Sequence, residues 1–198
     1  IINIFTALAT GGAVIAGQFI GKKKAEHACL ATNQLLSFTL KASCIIMVLG
    51  YLGKNLIING VFGRIEADVM YNCNVYLLIV FASVPMIALY NAGASIFRAM
   101  GNSTIAMKTS LLMNAINLGG NALLIYGFHR GVEGVAIPTL VSRGVACVVM
   151  LCLLNNQSRI LHIHHPFSFK TDWMLLKKIL YIGIPNGLEN SMFQLGKI

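Results

Sequence analysis

Residues 104–154 read TIAMKTSLLMNAINLGGNALLIYGFHRGVEGVAIPTLVSRGVACVVMLCLL, two apolar runs at 104–128 and 132–154 with only His129-Arg130-Gly131 between them. Crossing the hydrocarbon core of a bilayer takes roughly 20 mostly apolar residues, and each run exceeds that length. So short a link makes the two helices antiparallel neighbours. The first run carries Asn114, Asn117 and Asn121. Spacings of three and four place all three carboxamides within about 60° of arc on one helical face.

Amides turned toward lipid are unfavourable unless partnered, so the stripe calls for facing polar groups, water or an ion. Carboxamide and hydroxyl oxygens suit hard cations and also hydrogen-bond a carboxylic acid. Hydrogen bonding between helices satisfies the same pattern without any cavity. The second run offers Thr139, Ser142 and Arg143. Arg143 stands about 12 residues from the outer end of its run, roughly 18 Å of helix, which is near mid-depth. An ionisable group there is a functional candidate, with a structural pair to backbone carbonyls or to an acid elsewhere as the alternative. Lys41, midway along an earlier run, has the same status.

The same pattern extends outward through the chain, giving spans at about 1–21, 29–58, 69–97, 104–128 and 132–154. A polar, amphipathic connector over 158–178 follows, in which Trp173, Leu175 and Leu176 suit the membrane interface. A further span begins at 179. On the first span Asn3, Thr6, Thr10, Gly17, Gln18 and Gly21 fall within about one third of the circumference, a face for a bundle interior or cavity. Gly17 and Gly21 alternatively form a GxxxG site for close helix approach. Pro85 predicts a kink in the third span. Both ends of the sequence lie inside apolar runs, so the expectation is a piece of a longer polypeptide that lacks an early span.

Composition agrees with a polytopic α-helical membrane protein: 57% hydrophobic and 11% charged, with a mean hydropathy of +0.74, against about 25% charged in soluble domains. The net charge of +9 sits in clusters at the ends of apolar runs, which argues for membrane orientation and against nucleic acid. Lys22, Lys23, Lys24, Arg98, Lys108, Arg159, Lys170, Lys177 and Lys178 collect on one side, against Lys54, Arg64 and Arg130 on the other. Cytoplasmic loops hold the Lys and Arg excess, so loops 22–28, 98–103 and 155–178 are expected in the cytoplasm. Five cysteines without CxxC spacing read as small packing residues. His162, His164 and His165 lack a matching ligand cluster, so no metal site is expected there. Nucleophile motifs, phosphate loops and paired carboxylates are absent from the sequence, so an enzyme is not expected and no cofactor is called for.

Five segments resemble the MATE (multidrug and toxic compound extrusion) family in the family's order. Gly17-Gln18-Phe19-Ile20-Gly21-Lys22 through Ala25 and Ala28 looks like the end of the second helix and its loop. Arg98-Ala99-Met100-Gly101-Asn102 with Met107 is similar to the loop between helices four and five. Asn114 to Asn121 with Leu124-Ile125-Tyr126-Gly127 resembles helix five. Gly131-Val132-Glu133-Gly134-Val135-Ala136 with Thr139 and Ser142-Arg143 resembles the start of helix six. Gly183-Ile184-Pro185-Asn186-Gly187 resembles the opening of helix seven.

The resemblance implies twelve helices in two six-helix lobes, with residues 1–157 holding helices two to six, 158–178 a connector and 179–198 the start of the second lobe. It implies export of drugs or other amphipathic or cationic organic compounds in exchange for Na⁺ or H⁺. It also implies a cation site at Asn117, Asn121 and Thr139, completed by an acid on the first helix. Partners would be membrane lipid, a small organic substrate and the remainder of the same polypeptide. Two departures stand out: Asn121 where the family often has aspartate, and Pro138 where it has a small residue. Glu189 is not equated with the family's seventh-helix glutamate, which sits a turn later. The rival readings are a flippase for lipid-linked precursors from the same superfamily, which Arg143 and Lys41 would suit, and a non-transporting membrane scaffold or receptor.

Overall fold

The computed structural model describes residues 2–62, 67–128, 131–156, 161 and 173–196. Six helices follow one another: α1 Ile2–Gly21, α2 Ala25–Phe62, α3 Ala67–Ala99, α4 Ser103–Ala122, α5 Glu133–Leu154 and α6 Trp173–Leu195. A π-helical turn, Leu123–Gly127, extends α4. By length and composition three of these are able to cross a membrane, over Ala25–Lys54, Val69–Ala99 and Glu133–Leu154, and Phe5–Gly21 is a shorter apolar helix. Helix α4 falls short of that standard because Asn114, Asn117, Asn121, Lys108 and a polar first turn dilute its apolar residues.

Both short turns between helices use one backbone device. After α1, Lys24 N–H bonds to Phe19 O at 3.0 Å and Lys23 N–H to Ile20 O at 2.9 Å. After α3, Asn102 N–H bonds to Phe97 O at 2.9 Å and Gly101 N–H to Arg98 O at 3.0 Å. This double bond pattern closes a helix with a left-handed residue, here Lys23 at φ 56° and Gly101 at φ 75°, and satisfies the last carbonyls before the chain reverses. Glycine accepts that φ freely, whereas lysine carries the steric penalty of its Cβ.

Helix α3 is the central element, packing on α1, α2, α4 and α5, while α6 packs on α1 and α2. Its inner half is lined by small residues, Ala88, Ala92 and Ala94, followed by fully buried Ile96 and Phe97. Contact registers give the directions. Gly93 lies against Met150 and Gly144 against Met86, and Ser83 meets Arg143, so α3 and α5 run parallel. Gly120 lies against Pro138 and Asn117 meets Thr139, so α4 and α5 run antiparallel. This is the pattern of a chain that crosses back at each helix.

Some expectations are revised. A close backbone approach of α1 to another helix is not at Gly17 or Gly21: a Cβ on Gly17 would find Ala99 Cβ no nearer than 4.0 Å, and one on Gly21 would find nothing. It is at Gly11, where a Cβ would lie 2.7 Å from Gly183 N and 2.7 Å from Ile179 O of α6. Backbones meet there because neither helix has a side chain in the way. Helix α6 starts at Trp173, so the end of the expected connector is helical. Leu176 is buried with Ile179 in the core, whereas Trp173 and Met174 are exposed. The side chain of Asn3, the three connector histidines, and His129 and Arg130 lie outside the described residues.

Candidate functional site

The α4–α5 contact brings together three of the polar residues that the sequence singles out. Asn117 Nδ2 donates to Thr139 Oγ1 at 3.1 Å, Thr139 Oγ1 donates to Val135 O at 2.9 Å, and Asn121 Nδ2 donates to Asn117 Oδ1 at 3.2 Å. The result is a one-way relay from Asn121 through Asn117 and Thr139 to the α5 backbone. Four-residue spacing stacks Asn121 on Asn117, and the antiparallel crossing presents Thr139 to them.

Close approach is possible because Gly120 faces Pro138: a Cβ at 120 would lie 2.8 Å from Pro138 Cβ. Pro138 has no N–H, so the α5 backbone also loses its usual donor to Gly134 O beside the site. The π turn begins two residues after Asn121. It widens the helical hydrogen bonding to i−5, as in Phe128 N–H to Leu123 O at 3.3 Å. Such turns recur where a helix is reshaped at functional positions.

The relay ends on an open acceptor. Asn121 Oδ1 is buried and has no hydrogen-bond partner. A buried carbonyl oxygen left unmatched costs about 1–3 kcal/mol. What it lacks is a donor or a cation, and the donor set around it is all oxygen-bearing and neutral, which fits a hard monovalent ion or the O–H of a protonated acid.

The other residues singled out by the sequence fall elsewhere. Asn114 is exposed on the flank of α4, and Ser142 of α5 turns its hydroxyl onto Thr139 O of its own helix at 3.1 Å. Thr6, Thr10 and Gln18 lie on α1, which packs on α2, α3 and α6 but not on α4 or α5 among the described residues. Thr10 bonds back to Thr6 O at 2.8 Å, and Gln18 is exposed. Thr10 and Gly17 instead border a groove of about 280 Å³ against Ser95 and Arg98 of α3. Lys41 is half-buried on α2, a helix that does not pack on α5 among the described residues, so the structure does not unite it with Arg143.

Arg143 Nη1 donates to Ser83 Oγ at 2.6 Å, and Ser83 Oγ donates to Val80 O at 2.7 Å. Sequence reading missed Ser83, because a lone serine in an apolar span has many harmless uses. It also missed the hydroxyls buried along α2, of which Thr32, Ser37 and Thr39 have no partner; the seven-residue interval from Thr32 to Thr39 was the available signal. Cys29 and Cys147 are buried, and none of the five cysteines is in a disulfide among the described residues.

Comparison with known proteins identifies the family and the fold. The MatE family profile matches residues 1–123. The uncharacterized transporter YisQ of Bacillus subtilis (strain 168) is 25% identical over the whole chain and 44% of its own length. The probable multidrug resistance protein YoeA of the same organism shows the same identity and the same coverage. The multidrug export protein MepA of Staphylococcus haemolyticus (strain JCSC1435) is 30% identical over 56% of this chain and 24% of its own. The chain thus spans less than half the length of these relatives. Among solved structures, a MATE in the bent conformation superposes with a TM-score of 0.88 at 21% identity, covering 98% of this chain and 43% of that one. An inward-facing multidrug resistance MATE family transporter of the MOP superfamily gives 0.85 at 23% identity, over 94% and 42%. Those structures are two-lobe, twelve-helix membrane proteins, and this chain has the fold of the corresponding part. A profile match over more than half the residues, on a polytopic helical fold shared throughout, makes the chain a member of the MatE family.

Proposed function

We propose that this chain belongs to a secondary active antiporter that exports drugs or other amphipathic and cationic organic compounds in exchange for Na⁺ or H⁺. Residues 1–157 would form helices of the first lobe, 158–178 a cytoplasmic connector and 179–198 the start of the second lobe. The protein would lie in the cell membrane, with loops 22–28 and 98–103 also in the cytoplasm. The names of the relatives, among them a multidrug export protein, support the cargo class.

The observation that carries the coupling role is the buried, unmatched Oδ1 of Asn121 at the end of the Asn117–Thr139 relay. A cation entering there would gain oxygen ligands that need no rearrangement of the backbone. Asn117 and Thr139 hold the amide of Asn121 in orientation, since its Nδ2 is already committed. Binding drives transport only if the ion and the cargo prefer different arrangements of the lobes, because a ligand shifts an equilibrium by its difference in affinity for the two states. In the full-length protein, Asn117→Leu and Asn121→Leu should abolish ion-driven efflux from inverted vesicles while membrane insertion is unchanged. Efflux at the parent rate in both variants would remove the coupling role.

A further inference from the structure

We propose that Arg143 forms an oxyanion site in the membrane interior, one helical turn from the amide relay, and that it binds a carboxylate or comparable anionic group carried by the transported compound. The inference deepens the transport reading and rests on it for the ligand being cargo.

Arg143 is the eleventh residue of the 22-residue span Glu133–Leu154. At 1.5 Å per residue it stands about 15 Å from either end, beyond the reach of a side chain that snorkels to the interface. Its guanidinium carries five N–H donors, and the structure engages Nη1 with a neutral acceptor, Ser83 Oγ, at 2.6 Å. Ser83 is fully buried and its own proton is turned to Val80 O, so its lone pairs are held toward the guanidinium. The serine therefore positions the cation without neutralising it.

Among the described residues, no carboxylate stands on the stretches of α3, α4 and α5 around it. The whole sequence has six acidic residues. Helix α4 has none, α5 has only Glu133, about 15 Å away along the same helix, and α3 has only Asp68, about 22 Å from the level of Ser83. Glu189 belongs to α6, which packs on α1 and α2 and not on α5 among the described residues. A permanent charge at this depth needs a negative partner or water. Arg143 is half-buried, which leaves part of it accessible, and its planar fork matches an oxyanion in two-point contact. Two sources could supply that oxyanion: the cargo, or an acid side chain elsewhere in the full polypeptide.

The test uses the purified full-length protein in nanodiscs without an ion gradient, and two dyes with one skeleton: a rhodamine alkyl ester, which is cationic, and its free acid, which is zwitterionic. Binding is followed by fluorescence anisotropy. Arg143→Gln should raise the Kd of the free acid tenfold or more and leave that of the ester within twofold. Arg143→Lys should fall between, keeping the charge without the fork, and guards against misfolding in the glutamine variant. Equal loss for both dyes together with a lower melting temperature of the ligand-free protein would assign the oxyanion to the polypeptide and overturn the proposal. Unchanged binding of the free acid would overturn it as well. Because no gradient is present, these outcomes stand apart from the efflux test of Asn117 and Asn121.

Discussion

Alanine at Gly120 and alanine at Gly119 are the same chemical change one residue apart, yet the structure assigns them opposite consequences. A Cβ at 120 would sit 2.8 Å from Pro138 Cβ and 3.2 Å from its Cγ, whereas a Cβ at 119 meets nothing within 4 Å. Carbon atoms are comfortable at about 3.5–4.0 Å, so Gly120→Ala must push α4 and α5 apart by about 1 Å. Proline cannot relieve the contact, since its ring is fixed to the backbone. The same displacement would stretch the Asn117–Thr139 hydrogen bond from 3.1 Å to about 4 Å, outside bonding range. Overpacking of this kind costs about 1–3 kcal/mol and the lost bond about 1 kcal/mol more, for a total of about 2–4 kcal/mol. Gly119→Ala should be neutral or stabilising by up to about 1 kcal/mol, since alanine is the better helix former. Thermal unfolding of the full-length protein in detergent reads the first effect, and ion-driven efflux from vesicles reads the second, with Gly120→Ala slowed about tenfold or more. If the two alanine variants melt and transport alike, the close crossing of α4 and α5 at Pro138 does not hold the relay in place.

Two further expectations follow from distances between helices. Thr139→Ser should keep the relay, while Thr139→Val, of nearly the same shape, strands Asn117 Nδ2 and should lower stability by about 1–3 kcal/mol in chemical or thermal unfolding; equal stability of the two variants would speak against the bond. Ala7 Cβ lies 3.2 Å from where a Cβ on Gly187 would stand, near the separation of disulfide-linked Cβ atoms, about 3.5–4.5 Å. A full-length Ala7→Cys, Gly187→Cys variant without its other cysteines should therefore cross-link under mild oxidation, seen as a mobility shift reversed by thiol, and a failure to cross-link would contradict the α1–α6 register.

Much of the site was legible because spacing along one helix fixes angles on that helix. Asn117 and Asn121 share a face whatever surrounds them, and the three-residue link at 129–131 obliges α5 to return beside α4, which is enough to bring Thr139 within reach. The same logic stops short at Asn114. Periodicity says that it lies on the stripe, but not how far along the stripe α5 continues to offer partners, and Ser142 of α5 is occupied by its own helix. It stops short at the ends of segments too, because Trp173 to Lys178 mixes polar and apolar residues as an interfacial connector would, while Leu176 of that turn is buried against the core.

The amino-acid sequence alone determined that this is a chain of apolar helices crossing a bilayer, which residues share a helical face, and which loops carry the positive charge, since all three depend on hydropathy and on spacing along the chain. Only the tertiary structure decided which helices are neighbours and how each is rotated about its axis. It set α3 parallel to α5 so that Ser83 meets Arg143 across sixty residues, kept the polar face of α1 away from the amide relay, and brought α1 and α6 into backbone contact at Gly11 and Gly183. Rotation and neighbourhood are settled by packing, where the absence of a Cβ or the bulk of a proline ring on one helix takes its meaning from the surface of another.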